Sequence, residues 1–327
     1  MSHNHIASTP TTRLRLDGGS AVDILPLVLG GNTFGWTSDE TSSRRVLDSF
    51  IDNGGSLIDT ADVYSAWAPG HSGGESEIIL GRWLETSGHR RDALIATKVS
   101  EHPQYHGLGA STIAAAARES LLRLGTDHID LYYAHFDDQS TPLAETAAAF
   151  DKLVREGLVR AVGLSNYTPD RIREWFDIAR REGFVLPVAL EPHYNLVHRA
   201  AFEAGLDSVA QSEDLAVFPY FALASGFLTG KYHRAEDAQG SARSGMLGDV
   251  LNDDGFAVVE RLSSIAAKHD VQPATVALAW LRHRPAVSAP IASARTVDQL
   301  PALIESASQV LDDEDMSSLT KVSQPFA

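Results

Sequence analysis

The chain of 327 residues contains no cysteine. It therefore has no thiol for a disulfide, for a nucleophile, or for a cysteine-ligated zinc or iron–sulfur site. It also has no run close to the roughly 18 apolar residues that a membrane span requires. The first twenty residues carry no apolar core of signal-peptide length, so we expect no membrane partner and a cytoplasmic location.

Positive charge is scarce as well. The sequence has 27 Lys and Arg against 43 Asp and Glu, which gives a formal net charge of −16. Nucleic-acid binding relies on a basic face that neutralises phosphates, so we expect no nucleic-acid partner. Hydrophobic residues make up 43% of the chain, as in an ordinary globular protein. We expect a monomer or a weak homo-oligomer that acts on a small molecule.

Short apolar runs recur along the chain, and seven of them end in a residue that can take part in chemistry. They close on Asp59, Lys98, His135, Asn166, Glu191, Tyr220 and Ser293. The segments between them have the apolar spacing of helices. Strands that alternate with helices predict an α/β fold, and this rhythm is typical of a (β/α)8 TIM barrel. In such a barrel the carboxyl ends of the strands meet at one rim, so these residues can share a pocket.

The periodicity also predicts individual elements. Helices are expected at 41–52, 75–87, 111–124, 142–156, 169–182, 200–212, 256–268, 273–284, 296–308 and 312–321. Strands are expected at SLIDT, which ends in Thr60, and at 93–98, 129–134, 159–164, 187–191, 214–219 and 286–291.

The segments outside this alternation have their own signals. Residues 13–29 contain two short apolar runs around the turn-former Asp17-Gly18-Gly19, which predicts an N-terminal β-hairpin. The stretch 226–255 is polar and rich in Gly and Ser, and we expect a long loop insertion over the barrel mouth that binds cofactor or substrate. Residues 1–11 are expected to form a disordered tail. No linker divides the chain, so 1–327 is expected to be one barrel domain.

Seven motifs in sequence order point to a known family. The chain resembles the aldo-keto reductase family in LIDTADVYSAWAPGHSGGESEIILGRWL, LIATK, LYYAHFDD, AVGLSN, EPHYNL, FLTGKY and IASARTVDQL. The resemblance implies a (β/α)8 barrel that binds a nicotinamide cofactor without a Rossmann domain. The absence of a GxGxxG motif directly after a strand agrees with this.

Four residues in these motifs match the catalytic tetrad of the family: Asp59, Tyr64, Lys98 and His135. Reduction of a carbonyl group needs a hydride at carbon and a proton at the developing alkoxide. Tyr64 can supply this proton, but the ordinary tyrosine pKa is about 10, and a buried ammonium such as Lys98 lowers it. Asp59 can hold Lys98 in an ion pair, and His135 can orient the carbonyl oxygen by a hydrogen bond.

The resemblance also implies a set of cofactor-binding residues. Ser165, Asn166 and Glu191 match residues that bind the nicotinamide carboxamide, and Tyr220 matches the ring that stacks under the nicotinamide. The loop that folds across the pyrophosphate is matched by Ala222, Leu223, Gly226, Leu228, Gly230 and Lys231. The region around the adenosine phosphate is matched by Ser293, Arg295 and Gln299.

The choice between the two nicotinamide cofactors depends on one basic side chain. Arg295 is followed by Thr296, and together they offer a guanidinium fork and a hydroxyl for a 2′-phosphate. This favours NADP(H) over NAD(H). The family usually has a Glu-Asn pair where this chain has Ala302-Leu303, which predicts looser adenine binding. It also usually has Pro where this chain has Ala222, which predicts a less rigid start of the pyrophosphate loop.

Substrate selection is expected to depend on rim aromatics. Trp36, Trp67 and Phe136 follow predicted strands and can form an apolar cup for a small carbonyl or alcohol substrate. No metal site is expected, because His102 and His106 flank Pro103 and precede Gly107, which argues against a regular helix there.

Two other functions are compatible with the same motifs. Some members of the family are channel-associated subunits that hold a nicotinamide cofactor as a sensor with little turnover. A barrel of this kind can also belong to a metal-dependent hydrolase. A carbonyl reductase would turn over aldehydes with NADPH, whereas the sensor would only bind the cofactor and the hydrolase would contain metal.

A departure at residue 191 generates a prediction. The family usually has Gln at this position, whereas Glu191 as a carboxylate can accept a hydrogen bond from the carboxamide but cannot donate one. A negative charge near the ring favours the cationic, oxidised nicotinamide. The Glu191→Gln substitution should therefore shift the ratio of affinities for oxidised and reduced cofactor toward the reduced form. Titration of both proteins with both forms tests this, and equal ratios would contradict it.

Overall fold

A computed structural model describes residues 10–16, 20–238 and 244–327. The expected turn at Asp17-Gly18-Gly19 and all but the last two residues of the expected tail 1–11 lie outside this range. None of the helices within it is both long and apolar enough to cross a membrane.

The described strands and helices follow one another along the chain as alternating units. The strands are β1 (Thr12–Leu16), β2 (Ser20–Ile24), β3 (Val28–Gly30), β4 (Leu57–Asp59), β5 (Leu94–Val99), β6 (Glu101–His102), β7 (Tyr105–His106), β8 (Ile129–Ala134), β9 (Val159–Ser165), β10 (Ala189–Glu191), β11 (Ala216–Val217) and β12 (Ile291–Ala292). The α-helices are α1 (Glu40–Asp52), α2 (Glu75–Ser87), α3 (Ala110–Leu124), α4 (Leu143–Arg155), α5 (Pro169–Glu182), α6 (Asp207–Ser212), α7 (Asp253–His269), α8 (Pro273–Arg282), α9 (Leu300–Glu305) and α10 (Asp313–Val322).

Eight strands form one parallel sheet that curls into a barrel. Their order is β11-β10-β9-β8-β5-β4-β3-β12. The two outer strands meet, because the backbone N–H of Ser288 donates to Val217 O at 2.9 Å and that of Ile291 donates to Pro219 O at 2.9 Å. The predicted (β/α)8 barrel is confirmed.

Helix boundaries are set by local capping. The side chain of Asp39 accepts from Ser42 N at 2.7 Å before α1. Before α5, the side chain of Thr168 accepts a hydrogen bond from Arg171 N. Pro169 takes the first helical position, and Gly183 ends the helix in the left-handed conformation. These residue types are the usual start and stop signals, and they explain why the predicted bounds agree closely with the observed ones.

The N-terminal hairpin closes one end of the barrel. β1 and β2 pair in antiparallel fashion, as predicted. Their Leu14, Leu16 and Ile24 are buried in one cluster with barrel-interior residues such as Leu131 and Phe218. A second, larger cluster fills the layer between the sheet and the outer helices. The opposite end, where the strands have their carboxyl termini, therefore remains for ligands.

Several elements differ from the prediction. β3 is a barrel strand of its own, which the sequence pattern did not separate from the hairpin segment 13–29. Residues 101–106 form a short antiparallel hairpin, β6–β7. The helix expected at 200–212 is interrupted at Gly205, whose φ of 136° is not helical. The described parts of 226–255 form short 3-10 turns before α7 begins at Asp253.

The contact between α2 and α3 generates a stability prediction. A Cβ on Gly81 would lie 2.1 Å from Arg123 O and 2.9 Å from the carbonyl carbon of Leu124. The Gly81→Ala change should therefore lower the free energy of unfolding by about 1–3 kcal/mol, although alanine is the better helix former. The control is Ser317→Ala, at an exposed position of α10. Its free energy of unfolding should stay within about 0.5 kcal/mol of the wild-type value. Urea unfolding measures both, and a stabilised Gly81→Ala protein would contradict the close contact.

Candidate active site

The carboxyl ends of the strands surround one deep cavity of about 850 Å³. Its size is in the range that holds a cofactor or a drug-sized ligand. Of the predicted site residues, those that line it are Trp36, Asp59, Tyr64, Trp67, His135, Phe136, Asn166, Glu191, Tyr220, Leu223, Gly226, Lys231, Ser293, Arg295 and Gln299. The barrel thus brings together residues as distant in the chain as Trp36 and Gln299.

The floor of the cavity is organised around a buried ammonium. Lys98 is fully buried on β5, and its Nζ lies 2.5 Å from Asp59 Oδ1, 3.0 Å from the Tyr64 hydroxyl and 3.3 Å from Glu191 Oε1. It also donates to Thr60 O at 2.9 Å. The Tyr64 hydroxyl lies 3.4 Å from Asp59 Oδ2 as well. Asp59, Tyr64 and Lys98 therefore form one hydrogen-bonded group.

With Glu191, the site contains two buried carboxyl groups and one ammonium. Burial and the charge of Asp59 raise the pKa of Glu191 well above its ordinary value. Burial opposes the charge on Lys98, but Asp59 and Glu191 outweigh it and raise the lysine pKa. We assign the ion pair to Asp59 and Lys98 because their contact is the shorter one, and the retained proton to Glu191. A protonated Glu191 can donate a hydrogen bond, so the carboxylate expected from the sequence is present only above the raised pKa of Glu191, and the predicted effect of Glu191→Gln on the cofactor ratio applies there.

The pKa of Tyr64 is raised and not lowered. Burial raises it most, the nearby Lys98 lowers it as expected from the sequence, and Asp59 and Glu191 raise it further. The sequence predicts that the Lys98 ammonium sets the Tyr64 pKa. That prediction is wrong because it leaves out the Glu191 carboxyl group and the burial of the site. Tyr64 is therefore a neutral phenol at ordinary pH, which is the form that can donate a proton.

His135 lies beside the tyrosine as a neutral imidazole. Burial and the charge of Lys98 lower the pKa of His135 well below its ordinary value. Its ring centroid is 6.2 Å from that of Tyr64, and its Nδ1 has no hydrogen-bond partner among the described residues. A neutral imidazole has one N–H, so His135 can donate one hydrogen bond to an oxygen in the cavity.

The predicted nicotinamide residues form a connected hydrogen-bond network. Asn166 Nδ2 donates to His135 O at 2.9 Å and to Ser165 Oγ at 3.0 Å, and its Oδ1 accepts from the Tyr220 hydroxyl at 2.8 Å. Ser165 Oγ donates to Glu191 O at 2.9 Å. Glu191 Oε2 is buried and has no partner among the described residues. The network thus presents amide, carboxyl and aromatic groups on one wall of the cavity.

The predicted phosphate-binding segments supply both cations that line the cavity in the described part of the chain. Gly226 has a φ of 91°, a backbone conformation that favours glycine, and a Cβ there would lie 2.8 Å from Lys231 Nζ. Arg295 N donates to Gln299 Oε1 at 2.8 Å. Ser293 Oγ donates to Asn32 Oδ1 at 2.7 Å. The two segments lie on the same side of the barrel mouth.

The structure also separates lining residues from supporting ones. Five predicted site residues do not line the cavity directly: Lys98, Ser165, Ala222, Leu228 and Gly230. Other residues line it without having been predicted: Asn32, Glu101, Phe221, Ser225, Met246 and Asp298 among them. The segment GNTFGW at residues 31–36 follows β3 directly, and this position could have indicated Asn32 as a lining residue. The others lie in loops, in short 3-10 turns or, for Glu101, in the β6–β7 hairpin, and these segments carry no periodic signal.

The three predicted rim aromatics, Trp36, Trp67 and Phe136, all line the cavity. The rings of Trp36 and Trp67 are 5.5 Å apart in a T-shaped pair, and Trp67 lies 6.0 Å from Tyr64. Phe136 is 4.9 Å from His135. Trp67 is 48% and Phe136 41% exposed, which is high for rings of this size and leaves their faces open to a ligand.

Comparisons with known proteins identify the family. The family model described as Aldo/keto reductase family matches residues 26–324, so the chain belongs to this family of oxidoreductases, as the sequence motifs predicted. Protein tas of Escherichia coli (strain K12) is 29% identical over 94% of this chain and 96% of its own length. The uncharacterized oxidoreductase YrpG of Bacillus subtilis (strain 168) is 32% identical over 93% and 94%. A probable voltage-gated potassium channel subunit beta of Oryza sativa subsp. japonica is 30% identical over 82% of both chains.

The buried ammonium generates a prediction for stability and its pH dependence. Lys98→Met leaves Asp59 and Glu191 buried without a cation and should cost about 3–5 kcal/mol at pH 8. Carboxyl groups whose pKa values are raised in the folded state bind protons more tightly there than in the unfolded chain. Their contribution to stability is therefore largest at low pH and is lost as pH rises.

Urea unfolding at pH 5.5 and pH 8 measures this effect. The loss in Lys98→Met should be smaller at pH 5.5 than at pH 8. Lys152→Met on α4 removes an exposed lysine that lies 3.7 Å from Glu156, and it should change stability by less than about 1 kcal/mol at either pH. A loss in Lys98→Met that is independent of pH would show that the buried carboxyl groups do not take up protons.

Proposed function

We propose that this protein reduces an aldehyde or ketone to the alcohol with NADP(H), reversibly, and that Tyr64 is the general acid. The observation that carries this proposal is the contact of 3.0 Å between the Tyr64 hydroxyl and Lys98 Nζ at the floor of a deep cavity. Membership of the aldo/keto reductase family supports the reaction class. We further propose that it acts in the cytoplasm on a small-molecule substrate.

The residues on one wall of the cavity suit a nicotinamide cofactor. Asn166 and Glu191 present amide and carboxyl groups, the latter with a buried oxygen that has no hydrogen-bond partner in the described part of the chain, and Tyr220 presents a ring for stacking. Lys231 and Arg295 would hold the phosphates at the mouth. When bound, the cofactor would supply the hydride. Arg295 and the adjacent Thr296 support a preference for NADP(H), because a 2′-phosphate would give the guanidinium a partner.

The proton is handled by the chain itself. His135, as a neutral imidazole, would donate a hydrogen bond to the carbonyl oxygen and hold it near the Tyr64 hydroxyl. Tyr64 would then transfer its proton to the oxygen as negative charge develops there. Lys98 stabilises the phenolate that remains, at a distance of 3.0 Å. Asp59 keeps Lys98 charged and in place, at 2.5 Å.

A second candidate function is a cofactor-binding sensor subunit with little turnover. The similarity to the rice protein named as a probable potassium channel subunit beta favours it. Both functions require the same cofactor wall, so binding of NADPH does not distinguish them. Turnover of aldehydes does.

The Tyr64→Phe substitution tests the proposed acid. Without the hydroxyl, turnover of an aldehyde panel with NADPH should fall by a factor of about 10² to 10⁴, the usual contribution of general acid catalysis. Binding of NADPH, followed by fluorescence, should stay near the wild-type value. Tyr132→Phe is the matched control, since the Tyr132 hydroxyl lies in the layer between sheet and helices, has no hydrogen-bond partner among the described residues, and should not affect turnover.

The outcomes separate the candidates. Normal turnover in Tyr64→Phe would exclude Tyr64 as the acid. Wild-type protein that binds NADPH but reduces no aldehyde or ketone would favour the sensor. Parallel assays with NADH measure the proposed preference for NADP(H).

A further inference from the structure

The cavity has two chemically different halves, which follow from the strand order. The loops after β3, β4, β5 and β8 are adjacent around the rim, and so are the loops after β9, β10, β11 and β12. The second half carries the proposed cofactor wall and both cations that line the cavity in the described part of the chain, Lys231 and Arg295. The first half carries Tyr64 and His135, and it is therefore where a carbonyl substrate would meet the proton donor.

The wall of the first half is aromatic from the floor to the mouth. Tyr64 contacts Trp67, which contacts Trp36 in turn, at centroid distances of 6.0 and 5.5 Å. Phe136 continues the wall beside His135. The faces of such rings carry negative electrostatic potential and attract cations.

One acidic residue, Glu101, lies within this wall. It is half-buried, lines the cavity, and begins the β6–β7 hairpin directly after β5. Ser100 Oγ donates to Glu101 Oε1 at 3.1 Å and accepts from Phe136 N at 3.1 Å, so the carboxylate is tied to the aromatic wall. Ser100 has a φ of 145°, a conformation that costs energy for a residue with a Cβ and that clusters at functional sites.

The charge of Glu101 is not balanced by a neighbouring cation. Within the part of the chain that the structure describes, no lysine or arginine lines this half of the cavity, and none forms an ion pair with Glu101. The cross-strand neighbour of Glu101 in the hairpin is His106, which forms no ion pair with it there either. The other acid of this half, Asp59, is already paired with Lys98.

We infer that the mouth selects carbonyl compounds that carry a positive charge, an ammonium or quaternary ammonium group, at the end remote from the carbonyl. This substrate class rests on the proposed carbonyl reduction at the same site. The carbonyl oxygen would lie at Tyr64 and His135, and the cationic group would lie against Trp67 and Phe136, with Glu101 as its counter-charge. A phosphate or carboxylate at the same end would be repelled by Glu101.

Three aldehydes of equal length test this inference. One carries a trimethylammonium group, one an uncharged tert-butyl group of the same shape, and one a carboxylate, each separated from the carbonyl by the same methylene chain. The ratio of kcat/KM for the cationic and the neutral aldehyde isolates the effect of charge. Assays at pH 8 keep histidine side chains largely neutral.

Substitutions of Glu101 should change this ratio in a fixed direction. Glu101→Gln should lower the cationic-to-neutral ratio about fivefold, the upper end expected for a partly exposed ion pair. Glu101→Lys should lower this ratio further, and it should raise the ratio of kcat/KM for the carboxylate aldehyde to that for the neutral aldehyde. The control is Glu85→Gln, at an exposed position of α2 that does not line the cavity, which removes the same charge and should leave all ratios unchanged.

Binding is measured independently of turnover. The butyltrimethylammonium ion, titrated by tryptophan fluorescence, should bind wild-type protein more tightly than Glu101→Gln, whereas a neutral analogue of equal size should not distinguish them. If aldehydes are reduced but the ratio is equal in wild-type and Glu101→Gln, the inference is wrong and the proposed function stands. If no aldehyde is reduced, the proposed function fails and the binding titration alone decides the inference.

Discussion

The burial of the Lys98 ammonium is the constraint on which the site depends. A charge without solvent is stable only if oxygen atoms surround it, and here they come from Asp59 and Thr60 on one side and Glu191 on the other. In the strand order β10 is separated from β5 by two strands, so Lys98 joins distant parts of the barrel interior. The same ammonium holds the Tyr64 hydroxyl. Fold stability and the acid of the proposed reaction therefore depend on one side chain.

Glu191 adds a titratable carboxyl group to the site around Lys98, where a glutamine would place an amide that does not titrate. Because burial and Asp59 raise its pKa, Glu191 can be a neutral acid that donates a hydrogen bond, as an amide does. At higher pH it becomes an acceptor that adds negative charge beside Tyr64. The difference between glutamate and glutamine at this position is thus a difference in how the site responds to pH.

Much of the fold could be predicted from periodicity and capping, because α1 begins after the capping Asp39 and α5 begins at Thr168-Pro169 and ends at Gly183. β3 could not, since its three residues follow the hairpin strand β2 without a turn that separates them. The site residues that end strands, such as His135 and Asn166, were predictable because barrel topology gathers strand ends. Glu101 was not, because it lies in a short hairpin whose pairing depends on tertiary contacts. The direction of the Tyr64 pKa required the depth of the site, which a sequence does not give.

The hairpin that seals the amino-terminal end of the barrel has a kinetic consequence. With Leu14, Leu16 and Ile24 filling that end, the barrel interior opens, in the part of the chain that the structure describes, at the carboxyl ends of the strands. Two ligands that enter through the same opening cannot exchange independently. In the proposed reaction, the ligand that lies deeper in the cavity would therefore bind first and leave last.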